Sequence, residues 1–428
     1  PTNGMDINLT IDLDLQLALE SELNNASTKY NMEGAIGIVM NPKTGEILAM
    51  SSRPNFDPTN YQAYRIETIN RNLPIWSSYE PGSTFKILTL SAALNEGKVN
   101  LFEDTYYDTG GIKVGGSTLH CWKAGGHGFE TFLEVVENSC NPGFVVLSNK
   151  LGKETLFNYI DKFGFGKKTG IDLNGESKGI IFSLDKVGPL ELATTGFGQG
   201  VSVTAIQQVT AVSAIVNNGN MYTPFVVKSI SDYETGTILK ETTPTLKSKN
   251  LITKETSDMV KYALESVVAN GSGHNAYIEG YRIGGKTGTA QKVGSDGKYM
   301  VGNYILSFIG FMPANDPEYV VYIAIDGAKG ATQYGGSTSA PIAKSIFNSI
   351  ISLYDLKSTT NGMPREYFWY ETKYVTVPDV RGLSLKEAKT LLTGFNLEYT
   401  GSGKTVVITN PEPGKRVKEG SLVKLMLN

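Results

Sequence analysis

Long apolar runs are missing from this sequence. No stretch of about 18 consecutive apolar residues occurs, which excludes a membrane-spanning helix within it. The start at Pro1 also lacks the basic-then-apolar layout of a secretory signal, so any membrane anchor is expected upstream of it. Charge of one sign is equally scarce: 39 Lys and Arg against 42 Asp and Glu leave a net charge of −3, with the basic residues scattered among acids. Nucleic acid is therefore not an expected partner. Two cysteines cannot build a disulfide framework, and Cys121 and Cys140 remain open as one disulfide, two free thiols or a pair of metal ligands. Charge-dense polar tracts are absent too, and 40% hydrophobic with 19% charged residues is the composition of a chain that folds. At 428 residues it exceeds one ordinary hydrophobic core, which predicts more than one domain.

The segment Gln16 to Tyr30 reads as a helix entering a globular domain. Ala35 to Met40, a turn over Asn41-Pro-Lys-Thr-Gly45, and Glu46 to Met50 read as a hairpin. Helices are expected over Ser83–Asn95, Phe132–Leu151, Ala205–Asn217 and Lys254–Ala269, with strands at Tyr304–Met312 and Glu318–Ile325. Helices flanked by an early hairpin and late strands predict an α+β fold, an antiparallel sheet whose first and last strands come together. Polar, Gly- and Pro-containing sequence over 355–373 reads as a linker between a domain at 1–354 and a small β-α-β-β domain at 374–428.

Three short motifs stand in order: Ser83-Thr-Phe-Lys86, Ser139-Cys-Asn141 and Lys286-Thr-Gly288. Singly each is what chance supplies. Together, in this order, they match the serine acyltransferase set shared by penicillin-binding proteins and β-lactamases. The spacing makes chemical sense. Pro81-Gly82 breaks the preceding chain, so Ser83 begins a helix with Lys86 one turn later on the same face. A serine hydroxyl attacks only if a neighbouring base removes its proton. Lys86 can do so only if burial and nearby positive charge, for which Lys286 is the candidate, hold it partly neutral.

Beyond the motifs, Asn41 to Glu46, Arg53-Pro-Asn-Phe-Asp-Pro58, Tyr79-Glu-Pro-Gly82 and Gly196-Phe-Gly-Gln-Gly200 make the chain resemble the transpeptidase domain of a class B penicillin-binding protein, and the tail resembles a PASTA module. The combination is most similar to sporulation members of that family, which build spore cortex. The resemblance implies a D-Ala-D-Ala transpeptidase of the extracytoplasmic membrane face, anchored by an upstream helix and needing no cofactor for its chemistry. It implies peptidoglycan stem peptides as substrates, β-lactam antibiotics as acylating ligands and a separate glycan polymerase as partner. It assigns Ser83 as nucleophile, Lys86 as base, Ser139 to the leaving-group proton and Asn141 to the substrate amide. Lys286, Thr287, Gly288 and Thr289 fall to carboxylate binding, with the Ser83 and Thr289 backbone N–H groups as oxyanion hole.

Two of the three histidines lie beside the cysteines, in His120-Cys121-Trp-Lys-Ala-Gly-Gly-His127. A hairpin turning at Gly115-Gly116 would return Asp108 to Cys121, so Asp108, Cys121, His127 and Cys140 form a candidate structural zinc set, with His120 as competing imidazole. Three rival activities share the motifs. A β-lactamase needs a deacylating Glu, and Glu176 lacks the Asn that completes that motif, so a long-lived acyl-enzyme is expected. A D,D-carboxypeptidase differs only in using water as acceptor. A non-catalytic sensor of β-lactam or wall fragments would keep Ser83 acylation alone.

Overall fold

A computed structural model describes the chain except residues 1–3, 295, 330, 366–373 and 419; the second half of the expected linker thus lies outside the described residues. The chain forms two compact units, Pro1–Pro364 and Arg365–Asn428.

In the first unit, helix α1 (Leu13–Tyr30) starts where the Asp12 carboxylate accepts the Leu15 N–H, an N-cap that satisfies an otherwise orphaned donor. Leu15, Leu19 and Leu23 recur every four residues and make its buried stripe. Strands β1 (Gly34–Met40) and β2 (Ile47–Arg53) form the N-terminal hairpin. With β3 (Gly284–Val293), β4 (Tyr299–Met312) and β5 (Tyr319–Asp326) they make a five-stranded antiparallel sheet in the order β3-β4-β5-β1-β2. The first hairpin thus closes on the last strand, as an α+β arrangement requires. Alternation along β1 splits the interior in two. Val39 joins Leu15, Leu19, Phe308 and Ile323 on one face, while Ile38 and Met40 join Phe85, Ile309 and Phe311 on the other. Gly37 is what lets α1 lie this close: a Cβ there would fall 2.5 Å from Leu19 Cδ1. Helix α5 (Gly335–Leu353) covers the same face as α1, burying Ile346 and Phe347.

Two helices differ from their sequence-based expectation, both at motifs. The run expected from Ser83 begins as a 3₁₀ turn, Gly82–Phe85, before α2 (Lys86–Asn95). The run expected over Phe132–Leu151 is broken into α3 (Phe132–Glu137) and α4 (Asn141–Leu151). Ser139 at φ 54° cannot continue a right-handed helix, and Pro142 restarts one at its first turn, where its missing N–H costs nothing. Periodicity reads straight through such a break because hydrophobic spacing is preserved across it.

The second unit carries α6 (Leu385–Leu391), opened by a reciprocal cap between Ser384 and Glu387. Strands β6 (Asn396–Thr400), β7 (Val406–Asn410) and β8 (Leu422–Leu427) form a sheet in the order β6-β8-β7, with β6 parallel and β7 antiparallel to β8. Strand β6 was not expected from sequence, because it is mostly exposed and carries little alternation. Val377, Val380, Leu392, Val406, Val423 and Leu425 fill this small core.

Candidate active site

The first motif rests on two glycines. Gly82 has φ 56°, and a Cβ on it would stand 3.1 Å from the Thr289 carbonyl oxygen, so the Ser83 turn lies against strand β3. Gly198 packs beneath: the Gly82 N–H donates to its carbonyl at 3.0 Å. Lys86 follows within one turn, its N–H donating to the Ser83 and Thr84 carbonyls. Its side chain is 1% exposed. The Lys86 Nζ donates to Ser139 O at 2.9 Å, Ser139 Oγ at 3.2 Å and Asn141 Oδ1 at 2.7 Å. Lys286, also buried, donates from Nζ to Ser139 Oγ at 2.8 Å. Ser139 Oγ therefore sits between two amines contributed by segments 53 and 147 residues away.

Thr287, Gly288 and Thr289 follow on β3. Thr287 Oγ1 donates to Ser272 Oγ at 3.2 Å, and Thr289 Oγ1 accepts the Gly335 N–H at the start of α5 at 3.3 Å. A Cβ at Gly288 would fall 2.2 Å from Ser307 Oγ, so only glycine fits.

Burial sets the charges. It brings Lys86 down to about 7, against the opposing pull of the two nearby thiols. Burial and then repulsion from Lys86 also hold Lys286 well below the usual ammonium range. At neutral pH Lys86 is divided between amine and ammonium, the state a general base requires.

Asp108, Cys121, His127 and Cys140 converge beside the second motif, their donor atoms all within 4.8 Å of one another. The hairpin of Gly111–Val114 and Ser117–His120, turning at Gly115-Gly116, returns the Cys121 N–H to Gly110 O at 3.0 Å. Asp108 Oδ2 accepts the His127 N–H at 3.0 Å and lies 3.0 Å from His127 Nδ1, which is 3.4 Å from Cys121 Sγ. The hydrogen bond with Cys140 brings Cys121 down to about 5, while the same bond and burial push Cys140 up. Burial opposes ionisation of Asp108, but hydrogen bonds from Cys121, Gly110 and His127 outweigh it and hold the carboxyl near 2. Both cysteines are free. His120 is outside the set: its residue is exposed and its carbonyl accepts the Asn141 Nδ2–H.

Glu176 is buried and spends its carboxylate on the Thr169 N–H, the Thr169 hydroxyl and the Gly170 N–H of its own loop. Sequence reasoning missed three residues around the motifs. Glu80 accepts the Gly200 N–H and the Tyr299 hydroxyl, Glu130 accepts from Asn138 Nδ2, and Trp122 Nε1 donates to Asn138 O. Glu80 stands in Tyr79-Glu-Pro-Gly82 and Trp122 in the His120–His127 stretch, whereas Glu130 had no sequence signal.

Residues 35–348 match the family described as the penicillin-binding protein transpeptidase domain, and residues 375–428 match the PASTA domain. Stage V sporulation protein D of Bacillus subtilis (strain 168) is 54% identical over 100% of this chain, which spans 66% of its length. The peptidoglycan D,D-transpeptidase FtsI of Escherichia coli (strain K12) is 30% identical over 84% of this chain and 58% of its own. Among solved structures, penicillin-binding protein 3 from Mycobacterium tuberculosis complexed with ampicillin aligns with a TM-score of 0.78 at 29% identity, covering 85% of this chain and 81% of that one. Penicillin-binding protein 2X from Streptococcus thermophilus aligns at 0.75 and 26% identity over 100% of this chain and 64% of that one.

Proposed function

Because the chain belongs to the transpeptidase family of class B penicillin-binding proteins, we propose that it is a peptidoglycan D,D-transpeptidase serving spore cortex synthesis. The observation that carries this reading is the buried meeting of Lys286 and Ser139 with Lys86, whose backbone N–H closes the turn on the Ser83 carbonyl. Lys86 Nζ takes the Ser83 proton as Oγ attacks the carbonyl of the penultimate D-alanine of a stem peptide. The Ser83 and Thr289 N–H groups hold the oxyanion, and Thr287 and Thr289 with Lys286 hold the terminal carboxylate. Collapse expels D-alanine, whose amine takes a proton through Ser139, and leaves an ester on Ser83. An amine from a second stem peptide then attacks this ester, forming the cross-link and returning the proton to Ser83. A β-lactam enters the same first step, but its ring-opened acyl group stays tethered and persists.

Glu176 lies locked in its own loop, which disfavours the β-lactamase reading. The transpeptidase and carboxypeptidase readings part at the acceptor, an amine or water. A separate glycan polymerase supplies the strands, and the wall substrate places the activity on the outer side of the cytoplasmic membrane. The PASTA unit is a candidate wall-binding lobe. The test is intact-protein mass spectrometry with penicillin beside Ser83→Ala: one covalent adduct on the parent and none on the variant is expected. An adduct that survives in Ser83→Ala would overturn the nucleophile, and release of D-alanine without amide transfer would make the enzyme a carboxypeptidase.

Asp108, Cys121, His127 and Cys140 suit a structural zinc ion. Ligands about 2.0–2.3 Å from zinc stand under about 4 Å apart in a tetrahedron, close to the spacing here, and a thiol already disposed to lose its proton is the form zinc binds. The ion would tie the Gly111–His120 hairpin to the loop of Ser139 and Asn141, with no part in the chemistry. Elemental analysis should find one zinc per chain, lost in Cys121→Ser; no stoichiometric zinc in the parent protein would remove the ion.

A further inference from the structure

The Lys86 amine has hydrogen-bond partners but no counter-ion of its own. Its three acceptors are a carbonyl, a hydroxyl and a carboxamide: Ser139 O at 2.9 Å, Ser139 Oγ at 3.2 Å and Asn141 Oδ1 at 2.7 Å. Among the described residues no carboxylate pairs with it, and the thiols of Cys140 and Cys121 pull on it from outside this shell. The buried Lys286 shares Ser139 Oγ as a second amine. One electron-rich group remains. Lys86 Nζ lies over the face of the buried Phe144 ring, 5.0 Å from its centroid. Phe144 follows Asn141 by three residues in the first turn of α4, so the carboxamide and the ring reach the same amine from neighbouring positions of one helix. Gly143 lets that turn seat closely: a Cβ on it would fall 2.5 Å from Val135 Cγ1 of α3.

In the acylation step the Lys86 lone pair takes the Ser83 proton while Ser83 Oγ bonds to the acyl carbon, so a neutral amine becomes an ammonium ion. Lys86 is 1% exposed, and charge created in such an interior is costly where no counter-ion stands ready. The face of an aromatic ring carries negative potential and attracts a cation within about 6 Å of its centroid, most strongly when both are desolvated. We propose that Phe144 is a positioning residue of the reaction: its ring face holds the Lys86 side chain and stabilises the ammonium that forms as Ser83 attacks. The proposal rests on the transpeptidase reading above and deepens it, adding a group that acts through Lys86 and touches no substrate. A leucine at 144 would fill much of the same space yet offer the developing charge nothing. The aromatic face, and not its bulk, is what this position requires.

A buried cation–π contact is worth about 5- to 30-fold in an equilibrium, and that sets the expected effect. The experiment follows penicillin acylation of the whole chain at about pH 9, where Lys86 is already free base. It separates the first-order acylation rate from the dissociation constant of the complex that precedes it. Phe144 is replaced by its 4-fluoro, 3,5-difluoro and 3,4,5-trifluoro forms, which keep the shape of the ring while draining its face of negative potential, and by Leu. The first-order rate should fall stepwise with each added fluorine and about 5- to 30-fold in Phe144→Leu, with the dissociation constant unchanged. Trifluorination of Phe347, buried in the core on the other face of the sheet, should leave both constants at the parental values. If Phe144→Leu misfolds, the fluorine series still decides, because it preserves the packing. A first-order rate that stays the same across the series, or a loss confined to the dissociation constant or matched at Phe347, would overturn the proposal. A parent chain that takes no penicillin at all would refute the acyl-enzyme reading itself, which is a different outcome from a flat series.

Discussion

Lowering the pH should switch off acylation at Ser83 by protonating Lys86. An ordinary lysine amine titrates at 10.5, whereas burial brings Lys86 to about 7. At pH 7.5 this raises the free-base fraction from about one in a thousand to about three in four. Burial thus supplies close to three orders of magnitude in available base. Because the pKa is depressed, the active form is present above about 7 and is lost as the pH falls through it. Between pH 8 and pH 5 the free-base fraction drops about a hundredfold, and the acylation rate should fall with it, approaching about tenfold per pH unit below 7 as one group is protonated. The assay is stopped-flow acylation by a fluorescent penicillin across that range, with circular dichroism to establish that the fold persists at pH 5. Lys86→Arg should lose at least about a thousandfold at every pH, since guanidinium does not deprotonate in a protein. A rate that stays flat from pH 5 to 8, or that rises only near pH 10, would refute Lys86 as the base tuned by burial.

Gly198→Ala should cripple the nucleophile turn. Its φ of 85° disfavours any Cβ, and that Cβ would fall 2.1 Å from the Gly82 carbonyl oxygen. We expect a loss of about 1–3 kcal/mol in stability and a more than tenfold slower acylation. Gly97→Ala, at φ 61° with nothing within 4 Å, should strain the backbone comparably yet leave acylation unchanged. Equal acylation rates in the two variants would mean that the Gly82–Gly198 contact does not position Ser83. Glu176→Gln should cost about 1–3 kcal/mol by weakening buried hydrogen bonds, read by thermal denaturation, with no change in acyl-enzyme lifetime. A lengthened lifetime would instead make Glu176 a deacylating base.

Legibility followed the range of the physics. The N-terminal hairpin was readable because Asn41-Pro-Lys-Thr-Gly45 carries its own turn chemistry, and strands β4 and β5 because each is a long apolar run bounded by turn residues. The break between α3 and α4 was not readable, since Ser139 takes its left-handed conformation in a fold that aims the second motif at Lys86. The strand at Tyr374–Thr376 is the opening β of the expected β-α-β-β module, but its partner Arg416–Lys418 and the exposed β6 were silent, having little hydrophobic pattern.

By itself the sequence determined which reactive side chains exist, their order, and the local turns that present them. Pro81-Gly82 before Ser83 acts within a few residues, so composition and spacing carry that turn. Only the tertiary structure decided that Lys86 is buried, that Ser139 lies between Lys86 and Lys286, and that the Phe144 ring faces Lys86. Those facts depend on segments tens to hundreds of residues apart packing into one low-dielectric interior. A lysine's proton affinity is set by that surrounding, which no local pattern of residues encodes.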